Sequence, residues 1–464
     1  SAQIYYASHG TIRYFPSNAM VQRPRNRRIL RRPSADGILL NGRFKIFSDP
    51  VHGFTSVPRG LILDLVGTPE VQRLRRIRQL GIGHMVFPGA EHSRFGHALG
   101  AMALMHDALI SLSEKGASVS PQELEAALAV ALLHDVGHGP FSHTLEHEIL
   151  TDFRHEQMSR ALLERLNRRF EGRLELALAI FDDTYERRWF HELISSQLDM
   201  DRLDYLRRDS YYTGVVEGKV GVGRIIKTLR VHPGDGSLQD RIVVEAKGAH
   251  AVENYLISRR LMYWQVYLHK TVVAGDHLLK SVIRRVRWHL GEDRDDVVNG
   301  GSDAFLFFLR KGYSSADLHH EDIQDAYVAL DDTDIIFSLK NWQMSDDRIL
   351  ADLSRRILVR DFFRVDFDVD NSRFAEPEIQ RRIGEYLIRE GLSDEDHLSE
   401  DISYYLHRSH STHEAYDTSE DTISVLNRSG IVEELSVSDD GRIVSGLAER
   451  QVRSFICYPK EVGQ

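Results

Sequence analysis

Cysteine is almost missing from this chain. A single thiol, Cys457, in 464 residues rules out an intramolecular disulfide framework and any multi-cysteine zinc site. It fits a reducing setting, and a cytoplasmic location is expected. Long apolar runs are missing too. Ala126–Leu133 falls far short of the roughly 18–20 residues that a membrane span needs, so no membrane partner is expected. Nor is there an excess of positive charge: Lys+Arg total 59 against Asp+Glu 69, a formal net charge of -10. That excludes a chain-wide electrostatic grip on nucleic acid, while a local basic cleft remains compatible with it. Several catalytic signatures are absent as well. The His-Glu pairs at His147, His155, His191 and His413 lack the second histidine of a zinc-protease helix. Gly214–Lys219 falls one residue short of a phosphate-binding loop, and Gly221-Val222-Gly223 does not complete a dinucleotide fingerprint. No GxSxG marks a hydrolase elbow, and no repeat of fixed period occurs.

What is present is a chain able to bury a large core, with 42% hydrophobic and 28% charged residues. Its length corresponds to about three domains of roughly 150 residues, or to one enlarged core with appendages. Ser17-Asn18-Ala19 ahead of Met20 reads as an expression scar, so residues 1–19 carry no functional argument. Arg23–Arg32 is expected to be a basic arm rather than a folded element. The expected division is an arm over 1–43, a core over 44–290 and a further region over 291–464, with the acidic Gly291–Ser302 loop as the boundary.

Residues 44–57 have strand-and-turn chemistry. Helical signals then dominate. Thr68-Pro69-Glu70 starts a run through Val71, Leu74, Ile77 and Leu80 that Gly81 ends. Further helices are expected over 97–112, 121–134, 155–170, 174–181, 190–208 and 247–290, and onward to about 360. Leu229–Glu245 around Gly234-Asp235-Gly236 reads as a hairpin. Phe363, Val365, Phe367 and Val369 alternate as a strand does, and Ile431–Leu447 around Asp440-Gly441 reads as a second hairpin. The acidic run Ser393–Asp401 is expected to be a solvated face or loop.

Histidine is the outlier, with 23. His84, His92, His97, His106, His134, His138, His143, His147 and His155 crowd into one stretch. His134-Asp135 closes an apolar helix and precedes Val136-Gly137-His138-Gly139-Pro140, which puts an imidazole and a carboxylate at the rim of a core. Such mixed N/O groups suit a hard or borderline divalent metal, although a lone His-Asp pair is more often a capping pair. Downstream, Asp199–Asp209 presents Asp201, Tyr205 and Arg208 at helical spacing, and a carboxylate there is a further candidate ligand. His84, His92 and His106 are more often surface or satisfied core histidines. Tyr263 and Trp264 read as core, and Tyr211-Tyr212 as packing.

Taken in order, His97, His134-Asp135 and Asp201 match the H…HD…D signature of HD-domain phosphohydrolases. The chain resembles their dNTP triphosphohydrolase branch more closely, through Gln79-Leu80-Gly81, Val86–Ala90, His92–Phe95, His134–His143, His155-Glu156-Gln157 and Asp199–Asp209. That branch includes the human SAM-and-HD-domain protein; its bacterial relatives lack the SAM domain, and none is expected here. The matching segments run from about Lys45 to Lys270. The resemblance implies a mainly α fold, with an HD-domain helical core, small β-hairpins and a mixed α+β C-terminal region.

It also implies roles. His97, His134, Asp135 and Asp201 would bind one divalent metal ion, Mn, Fe, Zn, Mg or Ni. Arg94, His138, His155, Arg202 and Arg259 would hold the triphosphate. His143 would protonate the leaving 5′-oxygen, oriented by Glu146, where the family often has Asp. Tyr205 and Leu80 would crowd the sugar 2′ position, Gln79 and Asp209 would bind the 3′-hydroxyl, and Tyr267 would line the nucleoside side. Arg202 stands where the human relative has lysine. Lys45, Gln72, Arg75 and Lys247 align with an inter-subunit effector site, but Gly67 replaces the aspartate that reads guanine there. The expected partners are therefore a dNTP substrate, a dNTP effector and further copies of the chain in a homo-oligomer, a tetramer, with no nucleic acid. The chemistry is coherent: a metal offsets charge at phosphorus, cationic side chains neutralise the triphosphate, and an alkoxide leaving group needs an acid. The alternatives are an HD phosphohydrolase acting on another nucleotide, such as a cyclic dinucleotide or a nucleoside monophosphate, and a nucleotide-sensing or nucleic-acid-binding protein without turnover.

Overall fold

Strand chemistry at residues 44–57 becomes an antiparallel hairpin in the computed structural model: Phe44–Asp49 pairs with Gly53–Pro58, Phe44 opposite Pro58 and Asp49 opposite Gly53. Asp49 makes the turn, its Oδ1 accepting from the backbone N–H groups of Val51 and His52. The structure describes residues 44–234, 240–367, 375–413, 416–417, 422–437, 444–447 and 451–463. The N-terminal arm, Val369, the Asp235-Gly236 tip and Asp440-Gly441 lie outside the described residues, as do the side chains of His143, Thr412, His413 and Ser445.

The fold is mainly helical, with small sheets. Its centre is the pair Arg94–Glu114 and Pro121–Leu133. The second begins at a capping box, Ser120 with Glu123, has Pro121 in its first turn, and then runs apolar on every side, as a helix buried all round must. Arg94–Glu114 is long and apolar enough by composition to cross a membrane, which the apolar-run reading overlooked, but 72% of that window is buried in the fold. The Met200–Thr213 helix packs against it. One hydrophobic core reaches from Val57 to Val462.

Several sequence expectations need correction. The Thr68–Gly81 run is not one helix: Pro69–Gln72 is a single α-turn, Arg73–Arg76 is 3₁₀, and Ile77 is extended. The 190–208 helix is two, Trp189–Glu192 and Met200–Thr213, because Asp199 caps the second by accepting from Arg202 N–H. The 247–290 helix is Ala249–Met262 and Lys270–Gly291, joined through a π-turn at Tyr263–Tyr267. The acidic run at 393–401 enters a helix, Leu398–Tyr405, whose Asp401 is buried against Arg285.

The hairpin over 229–245 is present, Leu229–His232 antiparallel to Arg241–Glu245. The one expected over 431–447 does not form among the described residues. Val432–Glu434 pairs instead with Ser424–Leu426 across the Asn427–Gly430 turn, and Val444–Leu447 is 3₁₀. Ser424–Leu426 runs parallel to Arg241–Glu245, so the late chain extends the early hairpin into a four-stranded sheet. A three-stranded antiparallel sheet joins Arg364–Phe367, Gln451–Tyr458 and His407–His413.

Candidate metal centre and active site

Three helices bring the candidate ligands together. His97 lies in the first turns of Arg94–Glu114, His134 caps Pro121–Leu133 with Asp135 next, and Asp201 lies in the first turn of Met200–Thr213. One ligand atom from each of these four residues lies within 4.8 Å of every other, the spacing of groups that can hold a metal ion. His97 Nε2 is 3.0 Å and His134 Nε2 3.4 Å from Asp201 Oδ1, while each Nε2 is 3.6 Å from an Asp135 oxygen.

The donor set suits a cation. His97 Nδ1 donates to Asp204 at 2.7 Å and His134 Nδ1 to the Ala131 carbonyl at 2.9 Å. Those bonds turn both Nε2 lone pairs inward, and both Nε2 atoms are buried without a hydrogen-bond partner. Burial, the largest influence on His97, works against its charged form. The carboxylates of Asp201 and Asp204 beside it outweigh burial and push the ring up to about 10. His134 is raised on the same pattern, with burial opposed by Asp135 and Asp201. Asp135 and Asp201 resist burial and stay below the usual carboxylate range, because histidines surround them.

A second layer holds the first. Arg94, buried, donates to Asp135 Oδ2 at 2.6 Å and to Ser142 Oγ at 2.8 Å. The His138 ring stacks on His155 with centroids 3.7 Å apart, and His138 Nε2 lies 3.4 Å from Asp135. Burial and then Arg94 drive His138 well below its ordinary value, which keeps that ring neutral. Glu146 Oε1 accepts from both the backbone N–H and the Nδ1 of His155. His143 sits in the Ser142–Thr144 turn, and its side chain lies outside the described residues.

Beyond the cluster lies a cavity of about 140 Å3 lined by Gln79, Leu80, Thr144, Tyr267 and Asp276 among others. Tyr205 stands between the two, 6.5 Å from His97 and 6.3 Å from Tyr267, ring to ring. Asp209 is buried, its oxygens accepting from His92 Nε2 and Tyr267 OH, each at 2.8 Å. His92 is thus a bonded partner of the site, stacked on Tyr212. Arg202 turns toward the Ser196 carbonyl and Asp199. Arg259 belongs to the last turn of Ala249–Met262. Gln72 and Arg75 are hydrogen-bonded to each other at 2.9 Å. Lys45 extends over the Phe47 ring and Lys247 pairs with Glu245; among the described contacts neither meets Gln72 or Arg75.

Sequence reasoning placed Arg208 on a helix face without giving it a role; it missed Asp204, Asp49 and His52, which with Arg208 buttress His97, and Asp276, which accepts from Thr144 at 2.7 Å. It also missed Asp332, whose two oxygens take the backbone N–H groups of Arg78 and Phe141. Asp204 and Arg208 carried a signal, an acid–base pair four residues apart on the helix of Asp201. The others are too distant in sequence for any local pattern.

The HD domain matches residues 94–209, which include all of the candidate ligands, and the HD associated region matches 220–318. The Bacillus subtilis protein YwfO is 34% identical over 427 residues, covering 90% of this chain and 93% of its own length. A crystal structure of a phosphohydrolase from Bacteroides thetaiotaomicron is 40% identical and superposes with a TM-score of 0.82, covering 90% of this chain and all of that one. The human deoxynucleoside triphosphate triphosphohydrolase SAMHD1 is 29% identical over 266 residues, 49% of this chain and 42% of its own length.

Proposed function

Because the chain belongs to the HD-domain phosphohydrolase family, we propose that it cleaves deoxynucleoside triphosphates to deoxynucleoside and inorganic triphosphate, using one divalent cation held by His97, His134, Asp135 and Asp201. The observation that carries this reading is the placing of Tyr205 beside both the histidine–aspartate cluster and the cavity of Gln79, Leu80 and Tyr267, its ring 6.5 Å from His97 and 6.3 Å from Tyr267. A triphosphate at the cluster then has its sugar at Tyr205 and its base in the cavity. The similarity to the human dNTP triphosphohydrolase supports the substrate class.

A divalent cation supplies Lewis acidity at the phosphoryl oxygens and lowers the pKa of water. The chain's own residues do the rest. Asp204 and the Ala131 carbonyl keep His97 and His134 in the tautomer that leaves Nε2 open. Arg94 braces Asp135 and, with His138, His155, Arg202 and Arg259, offers donors to phosphate oxygens. Hydrolysis adds water at the α-phosphorus and breaks its bond to the 5′-oxygen. His143 gives that oxygen a proton, and Glu146 holds the neighbouring His155. Tyr205 and Leu80 exclude a 2′-hydroxyl, and Gln79 and Asp209 take the 3′-hydroxyl. Lys45, Gln72, Arg75 and Lys247 serve a dNTP effector between subunits of a homotetramer, since Gly67 offers no group to read guanine.

The deciding experiment is product analysis with each dNTP and NTP, with and without added divalent cation and effector nucleotide. Triphosphate and deoxynucleoside are expected, and Asp135→Ala is expected to lose both metal and turnover while keeping its helical content. Release of monophosphate from other nucleotides without triphosphate would move the protein to another branch of the family. Undiminished metal and activity in Asp135→Ala would overturn the ligand set.

A further inference from the structure

Asp204 is wholly buried, and every lone pair of its carboxylate is taken. Oδ2 accepts from His97 Nδ1 at 2.7 Å and from Arg208 Nε at 2.8 Å. Oδ1 accepts from Arg208 Nη2 at 3.0 Å and from His52 Nε2 at 2.5 Å. His52 does not come from the helical core. It sits at the tip of the N-terminal hairpin, 152 residues away in sequence from Asp204. A second strut runs parallel to it: Arg208 Nη1 donates to Asp49 Oδ2 at 2.8 Å, and the other oxygen of Asp49 builds the hairpin turn that presents His52. The hairpin thus grips the carboxylate–histidine pair that aims His97 Nε2 into the cluster.

The hairpin has two strands, a form that is marginal by itself, and its outer face leaves Ile46 and Phe54 mostly exposed. Its inner face docks through the two polar struts and through Val51, Thr55, Val57 and the partly buried Phe47. Outer partners of metal-ligating histidines commonly change metal affinity by about 10–100-fold. We infer that His52 is a positioning residue through which the N-terminal hairpin sets the metal affinity of the cluster, so that hairpin docking and cation binding strengthen one another. Reciprocity is required: whatever docking contributes to cation binding, the cation returns to docking. The inference rests on the proposal that the cluster binds a divalent cation.

The test uses the metal-depleted full-length protein with Mn2+ alone as probe. Titration calorimetry gives the affinity of the wild type, His52→Ala, His52→Gln and the hairpin control Phe54→Ser. Hydrogen exchange then follows residues 44–58 with and without Mn2+. His52→Ala is expected to bind up to roughly 10-fold more weakly, the lower end of the loss that follows removal of a ligand's direct outer partner. His52→Gln, which keeps a donor for Asp204, is expected to recover most of the loss, and Phe54→Ser to match the wild type. Mn2+ is expected to slow exchange across 44–58 in the wild type and to do so less in His52→Ala. Wild-type affinity in His52→Ala, or hairpin exchange in the wild type that is indifferent to Mn2+, would overturn the inference while leaving the cluster intact. The wild-type exchange measurement stands even if His52→Ala fails to fold. A wild type that takes up no divalent cation would overturn the cluster reading, and the inference with it.

Discussion

His97 is where the chemistry of single residues is most exposed to test. Burial alone would expel a charge from its ring, yet Asp201 and Asp204 hold the proton and push the pKa up to about 10. A cation at Nε2 must displace that proton. Cation binding near neutral pH therefore releases at least one proton, and apparent affinity falls as pH falls, by about tenfold per unit for each proton displaced. Calorimetry in buffers of different ionisation enthalpy counts the protons. A count of zero would mean that the ring is already neutral before the cation arrives. Tyr205 carries a second prediction. Its ring lies 6.5 Å from His97 and 6.3 Å from Tyr267, and the proposed function makes it the group that a 2′-hydroxyl would meet. Tyr205→Ala is expected to lower the dNTP-to-NTP ratio of kcat/KM by roughly tenfold or more, with metal content unchanged. An unaltered ratio would place sugar discrimination elsewhere. These residues were legible in the sequence because the H…HD…D order and its flanking blocks survive as local strings. The bond between His52 and Asp204 was not, since it joins residues 152 apart in sequence and no periodicity reports it.

At the scale of elements, the His97–Asp201 side of the site is an agreement between two of its three helices. Met200–Thr213 presents Asp201, Asp204, Tyr205 and Arg208 to one side, and Arg94–Glu114 answers with glycine where it must come close. A Cβ on Gly100 would lie 1.9 Å from Asp204 Oδ1 and 2.4 Å from Arg208 Nη2, a collision that only displacement of the pair could relieve. Gly100→Ala improves helix propensity by about 1 kcal/mol in an open helix, so propensity and packing predict opposite signs. Packing is expected to win: the variant should lose metal affinity as Asp204 is pushed from His97, and should melt at a lower temperature. A more stable variant with full metal binding would show that the helices part at little cost. The same helices show the limit of sequence reading. The apolar pattern over 190–208 continues through Ser196–Asp199, but Asp199 turns there to cap the later helix, and its burial holds its carboxyl up at about 6. A cap chosen by tertiary burial leaves no trace in periodicity.

At the scale of the molecule, residues beyond 291 hold the site together. Tyr327 OH donates to the Gly137 carbonyl, and Arg73 joins the carbonyls of Val136, His138 and Leu330. Asp332 spans the rest: one oxygen takes Arg78 N–H, next to Gln79 and Leu80, and the other takes Phe141 N–H, two residues before His143. Phe141 and Ser142 are both left-handed, at φ 50° and 44°, a conformation costing roughly 1–3 kcal/mol per residue that persists only where its surroundings impose it. Asp332 is the imposing group at Phe141. Asp332→Asn keeps the shape but has one acceptor oxygen for two backbone donors, leaving a buried N–H facing an amide nitrogen at a cost of about 1–3 kcal/mol. The melting temperature is expected to fall by a few degrees. The sharper expectation separates assembly from stability. Among the described hydrogen bonds Asp332 makes none to the helices that carry the metal ligands, so Mn2+ affinity is expected to stay close to the wild-type value. Turnover should fall, because the turn carrying His143 and the segment carrying Gln79 and Leu80 lose their common anchor. Loss of Mn2+ affinity in step with turnover would mean that Asp332 supports the whole core; full turnover would mean that the left-handed turn holds its shape unaided.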